Sequence, residues 1–458
     1  MLLLQIFTAK IAHSSYILAG NKTCAIIDPR RDVQVYIDTA KAAGWRITHV
    51  IETHLHADFI SGHMDLAQRT GAAIYAPDMG KCSFEHVPVS EGDEITVEDM
   101  VLQVVDTPGH TPEHVSYVVI DTSRGTEPVA VFCGDTLFVG DVGRPDLFPG
   151  RAHELADSLY TSLHDKLLNL PEHCEVYPAH AAGSLCGRAM AAKRQSTIGY
   201  EKRYNDALHI QDREEFIASL TTDMPPAPDH FGRCSAINGR GPALVSSLPT
   251  PRALAPHEFA ASASRHDTVI VDVRPYSAFG GQHIAGAFSL DMAGNLPTFA
   301  GWVVPPDKDI LLVTADAGQV SEAVDWLRRV GMDRTVAYLE GGMAAWATAG
   351  LPMRHLPQLS AQELEETVAA HAGAIVVDTR APAEYLAAHI RKSISMQVAD
   401  IRTRFGELDK SAETLVVCST GNRSSLGASM LMQRGFMNVK NVAGGVTGYV
   451  AAGFSLES

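Results

Sequence analysis

His54-Leu55-His56-Ala57-Asp58-Phe59 sets two imidazoles and a carboxylate at alternate positions, directly after the run Ile47 to Thr53. The apolar part of that run reads as a short buried strand, and Ile60-Ser61-Gly62 turns the chain into a helix-like segment from Met64 to Gln68. Histidines at alternate positions beyond a strand end can face one pocket, as metal ligands must. Phe59 is the odd residue, because its side chain cannot coordinate a metal. The second chemical motif is Val416-Val417-Cys418-Ser419-Thr420-Gly421-Asn422-Arg423-Ser424. Here a strand ends at Cys418, and a loop follows that wraps a helix N-terminus. Its backbone N–H groups, over Ser419, Thr420, Gly421, Asn422 and Ser424, form a cradle for an anion. Those dipoles and Arg423 favour the thiolate, the nucleophilic form of cysteine.

Further strand-like runs of the N-terminal block end near metal-ligating residue types. Val101 to Val105 leads to Asp106-Thr107-Pro108-Gly109-His110; Val129 to Gly134 ends at Asp135; Cys174 to Ala179 ends at His180. Ligands at the ends of neighbouring strands converge on one edge of an α/β sheet. Gly140-Asp141-Val142-Gly143-Arg144-Pro145-Asp146 follows closely. It reads either as a solvated turn or as a loop that places Arg144 at the mouth of the site, where a guanidinium suits a carboxylate or another anionic group of a substrate. Cys186, in a small-residue loop past His180, reads either as a buried structural cysteine or as a partly exposed thiol that acts as a relay near the metal pocket.

At 458 residues the chain is long enough for about three domains. Its 46% hydrophobic and 20% charged content describes a globular protein, and a net charge of −16 argues against nucleic-acid or anionic-membrane binding. Met1-Leu2-Leu3-Leu4 is too short for a signal peptide, and no segment reads as a membrane span. Seven scattered cysteines are no disulfide framework, so a cytoplasmic location is expected. The first block is expected over 1–235, with a helical tail from Ala189 to Leu220, and a Gly/Pro-rich linker over 236–252. The rest is a duplication, 253–356 and 357–458. Val269 to Arg274 recurs as Ile375 to Arg380, and Leu339-Glu340-Gly341-Gly342 as Val442-Ala443-Gly444-Gly445. β-Branched runs alternate with helical ones in each copy, the pattern of a parallel sheet covered by helices. The Asp272/Arg274 and Asp378/Arg380 pairs read as structural salt bridges.

The motifs of the first block resemble the metallo-β-lactamase superfamily, an αββα sandwich. Its first motif normally ends in a further histidine where this chain has Phe59, and its two-metal members use that histidine. His54, His110 and Asp135 remain, a set that can occupy one octahedral face and leave positions for substrate and O₂. Within the superfamily, Thr53 to Gly62, Thr107 to Thr111 and Gly134 to Asp146 look like a persulfide dioxygenase. That resemblance implies one Fe²⁺ on His54, His110 and Asp135, with His56, Asp58 and His180 hydrogen-bonding around it. The duplicated copies resemble rhodanese sulfurtransferases, whose loop with four residues between cysteine and arginine suits a sulfur atom. Thr314 and Gln319 stand opposite Cys418 and Arg423, so the first copy is a silent one. It offers a surface for docking or for a homo-oligomer. The domain order resembles bacterial persulfide dioxygenase–rhodanese fusions. The implied partners are a low-molecular-weight persulfide or thiol, such as glutathione persulfide, O₂, and sulfite or thiosulfate. The rival reading is a glyoxalase II-like zinc thioester hydrolase fused to rhodanese-like binding modules.

Overall fold

The computed structural model describes residues 1–222, 224–294, 296–370 and 373–458. It divides into two compact units: Met1–Leu248 with Arg328–Gly331, and Pro249–Leu327 with Met332–Ser458.

In the first unit, strands Leu2–Thr8, His13–Ala19, Thr23–Ile27, Arg46–Ile51, Ala73–Pro77 and Val87–Val89 form one sheet in chain order. The first three are antiparallel neighbours, and crossovers through helices Gln34–Ala43 and His63–Thr70 make the later ones parallel. A second sheet runs Ser196–Thr197, Glu175–Pro178, Pro128–Gly134, Val115–Asp121, Met100–Asp106, Glu94–Val97. Alternation along the strands joins the layers. Tyr16 and Leu18 pack with Leu102, Val104, Val119 and Phe132 between the sheets. Ile17 and Ala19, on the other face, pack with Val33, Tyr36 and Leu66 under the helices. On the far side Val131 and Val176 pack with Leu159, Phe216 and Leu220. Each such buried aliphatic side chain contributes about 1.5–3 kcal/mol. Burial on both faces explains why these strands read as continuous apolar runs. The result is an αββα sandwich, and His54, His110, Asp135 and His180 follow the C-terminal ends of four of its strands.

The second unit holds two parallel five-stranded sheets of matching order. One is Arg252–Leu254, Thr335–Leu339, Asp309–Val313, Thr268–Asp272, Phe288–Ser289; the other is Gln358–Leu359, Val439–Val442, Thr414–Val417, Ile375–Asp378, Ile394–Ser395. Arg274 binds Asp272, and Arg380 binds Asp378, through paired guanidinium–carboxylate contacts that also brace the carbonyls of Gln282 and Ala388.

The linker expected over 236–252 is corrected by the structure. Helix His230–Arg240 runs through its start, and residue 252 already begins a strand. Gly239, Gly241 and Pro242 mark a helix end and not a tether; Gly241, at φ 85°, closes the helix. Cys234 and Asn238 on that helix are buried. The Asn238 amide donates to the carbonyls of His56 (2.8 Å) and Phe59 (2.9 Å) and accepts from the Ser61 N–H (2.9 Å). One side chain thus satisfies three backbone groups of the motif loop. Asn238→Leu strands all three, so unfolding by denaturant should show a loss of about 2–3 kcal/mol.

Candidate functional site

The metal centre is built outward from Asp28, which ends strand Thr23–Ile27 with φ 50°. Its Oδ1 accepts from the Thr53 N–H (2.8 Å) and its Oδ2 from the Thr53 hydroxyl (2.9 Å). With its proton committed to Asp28, the Thr53 oxygen must accept from His54 Nδ1, 2.9 Å away. His54 therefore presents Nε2 as a bare lone pair. His110 Nδ1 donates to the Arg144 carbonyl at 2.9 Å, which fixes the same tautomer. Both Nε2 atoms are buried without a hydrogen-bond partner. They stand 3.9 Å and 3.3 Å from Asp135 Oδ2. Two neutral imidazole nitrogens and a carboxylate oxygen converging in a dry pocket fit a divalent metal. Burial holds His54 well below the usual imidazole range and lowers His110, so both stay in the ligating form.

The surrounding residues hold these three in place. His180 lies between carboxylates, with Nδ1 2.8 Å from Asp135 Oδ1 and Nε2 2.9 Å from Asp58 Oδ2. Burial would depress its pKa, but Asp135 and Asp58 raise it well above the ordinary value. Burial would likewise raise Asp135, but His180, His110 and His54 bring it well below the usual carboxylate range. His56 packs on His54 with ring centroids 4.1 Å apart. Its Nε2 is 3.1 Å from Asp28 Oδ1, and its Nδ1 has no partner. Phe59 is fully buried between the rings of His13 (4.1 Å) and His56 (4.5 Å). Gly143 lies so close that a Cβ there would stand 1.9 Å from the Asp135 carbonyl oxygen and 3.0 Å from His110 Cβ.

Arg144 takes neither of its two expected places, and Cys186 takes the first of its two readings, the buried one. Arg144 is 1% exposed; its guanidinium grips both Asp146 oxygens at 2.7 Å and the carbonyls of Leu185 and Pro225. It is a clamp whose own carbonyl aims His110, and it does not face the mouth. Cys186 is also 1% exposed, packed with Ala57, Phe138 and Phe231. Burial pushes its thiol up to about 12, which suits a structural cysteine and not a relay. Sequence reasoning missed Asp28, although it too ends a strand. It also missed His114, four residues past His110. The His114 Nε2 accepts the Asp135 N–H at 2.9 Å, and burial lowers its pKa to about 3.

Beside the ligands, Leu55, Ala57, Thr111, Phe148 and Phe231 line a mainly apolar cavity of about 500 Å³, with Lys81 and Arg240 in its wall.

In the second unit, Cys418 Sγ accepts from the Gly421 N–H (3.1 Å) and is 3.3 Å from the Ser424 hydroxyl. Gly445 closes against this loop, where a Cβ would stand 2.1 Å from the Cys418 carbonyl oxygen. Arg423 does not bond the sulfur. It grips both Glu384 oxygens (2.6 and 2.8 Å) and the Ser419 hydroxyl (2.7 Å). Burial would raise Glu384, but Arg423 brings its carboxyl down to about 2. Glu384 also went unread. The register that pairs Asp272 with Asp378 sets Ala278 opposite it, so the silent copy lacks this residue along with the cysteine and arginine.

Because Asp28 reaches His54 only through a hydroxyl, Thr53→Val should leave the fold intact by circular dichroism and weaken metal binding about 10–100-fold in chelator competition. Gly143→Ala should reduce metal content and thermal stability together, measured by elemental analysis and a melting curve.

Residues 10–180 match the metallo-beta-lactamase superfamily, and residues 255–349 and 360–452 each match the rhodanese-like domain. A hydroxyacylglutathione hydrolase of Erythrobacter litoralis is 32% identical over 244 residues, 52% of this chain and 86% of that protein. The crystal structure of a metallo-beta-lactamase from Staphylococcus aureus is 32% identical, covers 74% of this chain and 98% of its own, and superposes with a TM-score of 0.66. ETHE1 from Myxococcus xanthus is 31% identical, covering 52% of this chain and 98% of its own with a TM-score of 0.46. Among the described residues no helix is long and apolar enough to cross a membrane. With its αββα sandwich, its edge cluster of histidines and aspartates and its two parallel-sheet domains, this chain belongs to the metallo-beta-lactamase superfamily and carries two rhodanese-like domains after the metal-binding one.

Proposed function

We propose that this protein oxidises a low-molecular-weight persulfide with O₂ and water, giving sulfite, thiol and two protons, and transfers sulfane sulfur through Cys418. The observation that carries the reading is the donor set His54, His110 and Asp135 with a phenyl ring at position 59. The apolar ring removes a ligand that the two-metal arrangement needs, and the three remaining donors suit one iron. Fe²⁺ held there would supply the redox chemistry with O₂. The chain's own residues do the rest. Thr53 and the Arg144 carbonyl aim the imidazoles, and His180 holds Asp135. The apolar cavity next to Thr111 receives the persulfide, with Lys81 and Arg240 replacing Arg144 as anchors for an anionic carrier thiol. At the second site, the Cys418 thiolate attacks the outer sulfur of a persulfide. The donor S–S bond breaks, its electron pair leaves on the carrier thiolate, and the new Cys418 persulfide takes the Gly421 hydrogen bond. A lone pair of sulfite then takes that sulfur, yielding thiosulfate and returning the thiolate. The same loop can run the other way and draw sulfur from thiosulfate.

A second reading, thioester hydrolysis with zinc, has a specific observation in its favour. The unpartnered Nδ1 of His56 stands beside His54 as a third imidazole, and a relative named as a hydroxyacylglutathione hydrolase aligns over 244 residues. Against it stands Phe59, since metal-bound hydroxide chemistry of that type uses a full two-metal site.

Separating the two chemistries tests the proposal. Cys418→Ser in the full chain should leave O₂ uptake and sulfite release intact and abolish thiosulfate formation. An unchanged sulfite-to-thiosulfate ratio would refute the role given to Cys418.

A further inference from the structure

The silent rhodanese-like copy has lost its nucleophile, yet it walls the cavity in front of the active loop. That cavity, about 320 Å³, is lined by Thr420, Asn422 and Arg423 on one side and by Ser289, Asp291 and Phe299 of the silent copy on the other. The fit between the copies is close. A Cβ on Gly421 would stand 2.9 Å from the Tyr276 ring, and the Ser289 and Ser425 hydroxyls share a 2.8 Å hydrogen bond.

The charges in this wall are unequal. The loop between Cys418 and Arg423 carries none. Arg423 is neutralised by Glu384, which takes both its terminal nitrogens. Asp272, behind the wall, is closed off by Arg274. Asp291 remains. Its two oxygens accept the Tyr276 N–H (3.1 Å) and the Ala293 N–H (2.8 Å), which fix the carboxylate in place. Among the described residues no cation pairs with it. A fixed carboxylate in the wall of a cavity repels anions in proportion to their charge.

We propose that Asp291 of the silent copy is a specificity-determining residue for the Cys418 site, disfavouring the compact dianion thiosulfate as sulfur donor relative to thiol persulfides, whose carrier charges lie away from the reacting sulfur, and leaving hydrogen sulfite, a monoanion, as the acceptor form. This rests on Cys418 being the sulfur-carrying thiol and chooses between the two donors left open above. In the favoured step RS–SH and the Cys418 thiolate give RS⁻ and Cys418–S–SH, with one S–S bond broken and one formed and no net oxidation. The duplication would then survive without its own chemistry because the silent copy filters what reaches its partner.

The test uses the full chain and two alkylating probes of similar size, neutral iodoacetamide and anionic iodoacetate, read by mass spectrometry of the Cys418 peptide. In Asp291→Asn the iodoacetate rate should rise about fivefold with the iodoacetamide rate unchanged, and the difference should shrink in high salt. Asp291→Glu, which keeps the charge, should behave as wild type. With thiosulfate as donor, Asp291→Asn should lower KM and leave kcat in place. Equal probe ratios in all three proteins, or a thiosulfate KM that does not move, would overturn the proposal. A wild type that transfers sulfur from no donor, while the probe ratio still responds to Asp291, would overturn the transferase reading and leave the charge filter standing.

Discussion

One buried carboxylate organises the metal centre. Asp28 sits where the backbone turns into the left-handed region, which costs a non-glycine residue about 1 kcal/mol, and it directs both oxygens into the motif loop. From there a proton chain runs through Thr53 to His54 and leaves that imidazole with only one nitrogen to offer. His56 meets the same carboxylate from the other side. The tautomer of the first ligand and the placement of its neighbour therefore follow from a residue more than twenty positions earlier in the chain. His110 and Asp135 are aimed by different means, a backbone carbonyl and the His114 ring, and the three donors meet because their strands are held in two packed sheets.

Much of this was legible in the sequence because strand ends are. Apolar runs that stop at His54, His110, Asp135 and His180 place those residues on one sheet edge, and burial on both faces explains why the runs read so clearly. What was not legible is burial off the strands. Arg144 and Cys186 lie near the ligands in sequence, and the polar or small residues around them suggest exposure. In the fold both are enclosed, Arg144 by Asp146 and two carbonyls, Cys186 by apolar side chains. Helix His230–Arg240 misled for a related reason: glycine and proline mark the end of a helix as readily as a flexible tether, and only the buried Asn238 tells them apart.

The duplicated copies separate fold from chemistry. Both keep the parallel sheet and the aspartate–arginine pair at its edge, because these hold each domain together. Only the second keeps Cys418, Arg423 and Glu384. The arginine is joined to a carboxylate and a serine hydroxyl, and its contribution to the loop is to fix Ser419 from one side while the Gly421 and Ser424 donors serve the sulfur. Losing the cysteine removes the reason to keep the other two, and all three positions differ in the silent copy, whose Tyr276, Ser289 and Asp291 nonetheless lie against or before the active loop.

The central claim is that a one-iron site here performs sulfur oxidation. O₂ consumption by the full chain, loaded separately with iron and with zinc and offered either glutathione persulfide or a hydroxyacyl thioester of glutathione, tests it most directly. The predicted result is O₂ uptake with sulfite release by the iron-loaded protein on the persulfide, and no thioester turnover with either metal. Thioester hydrolysis by the zinc-loaded protein, with no O₂ uptake under any loading, would contradict it.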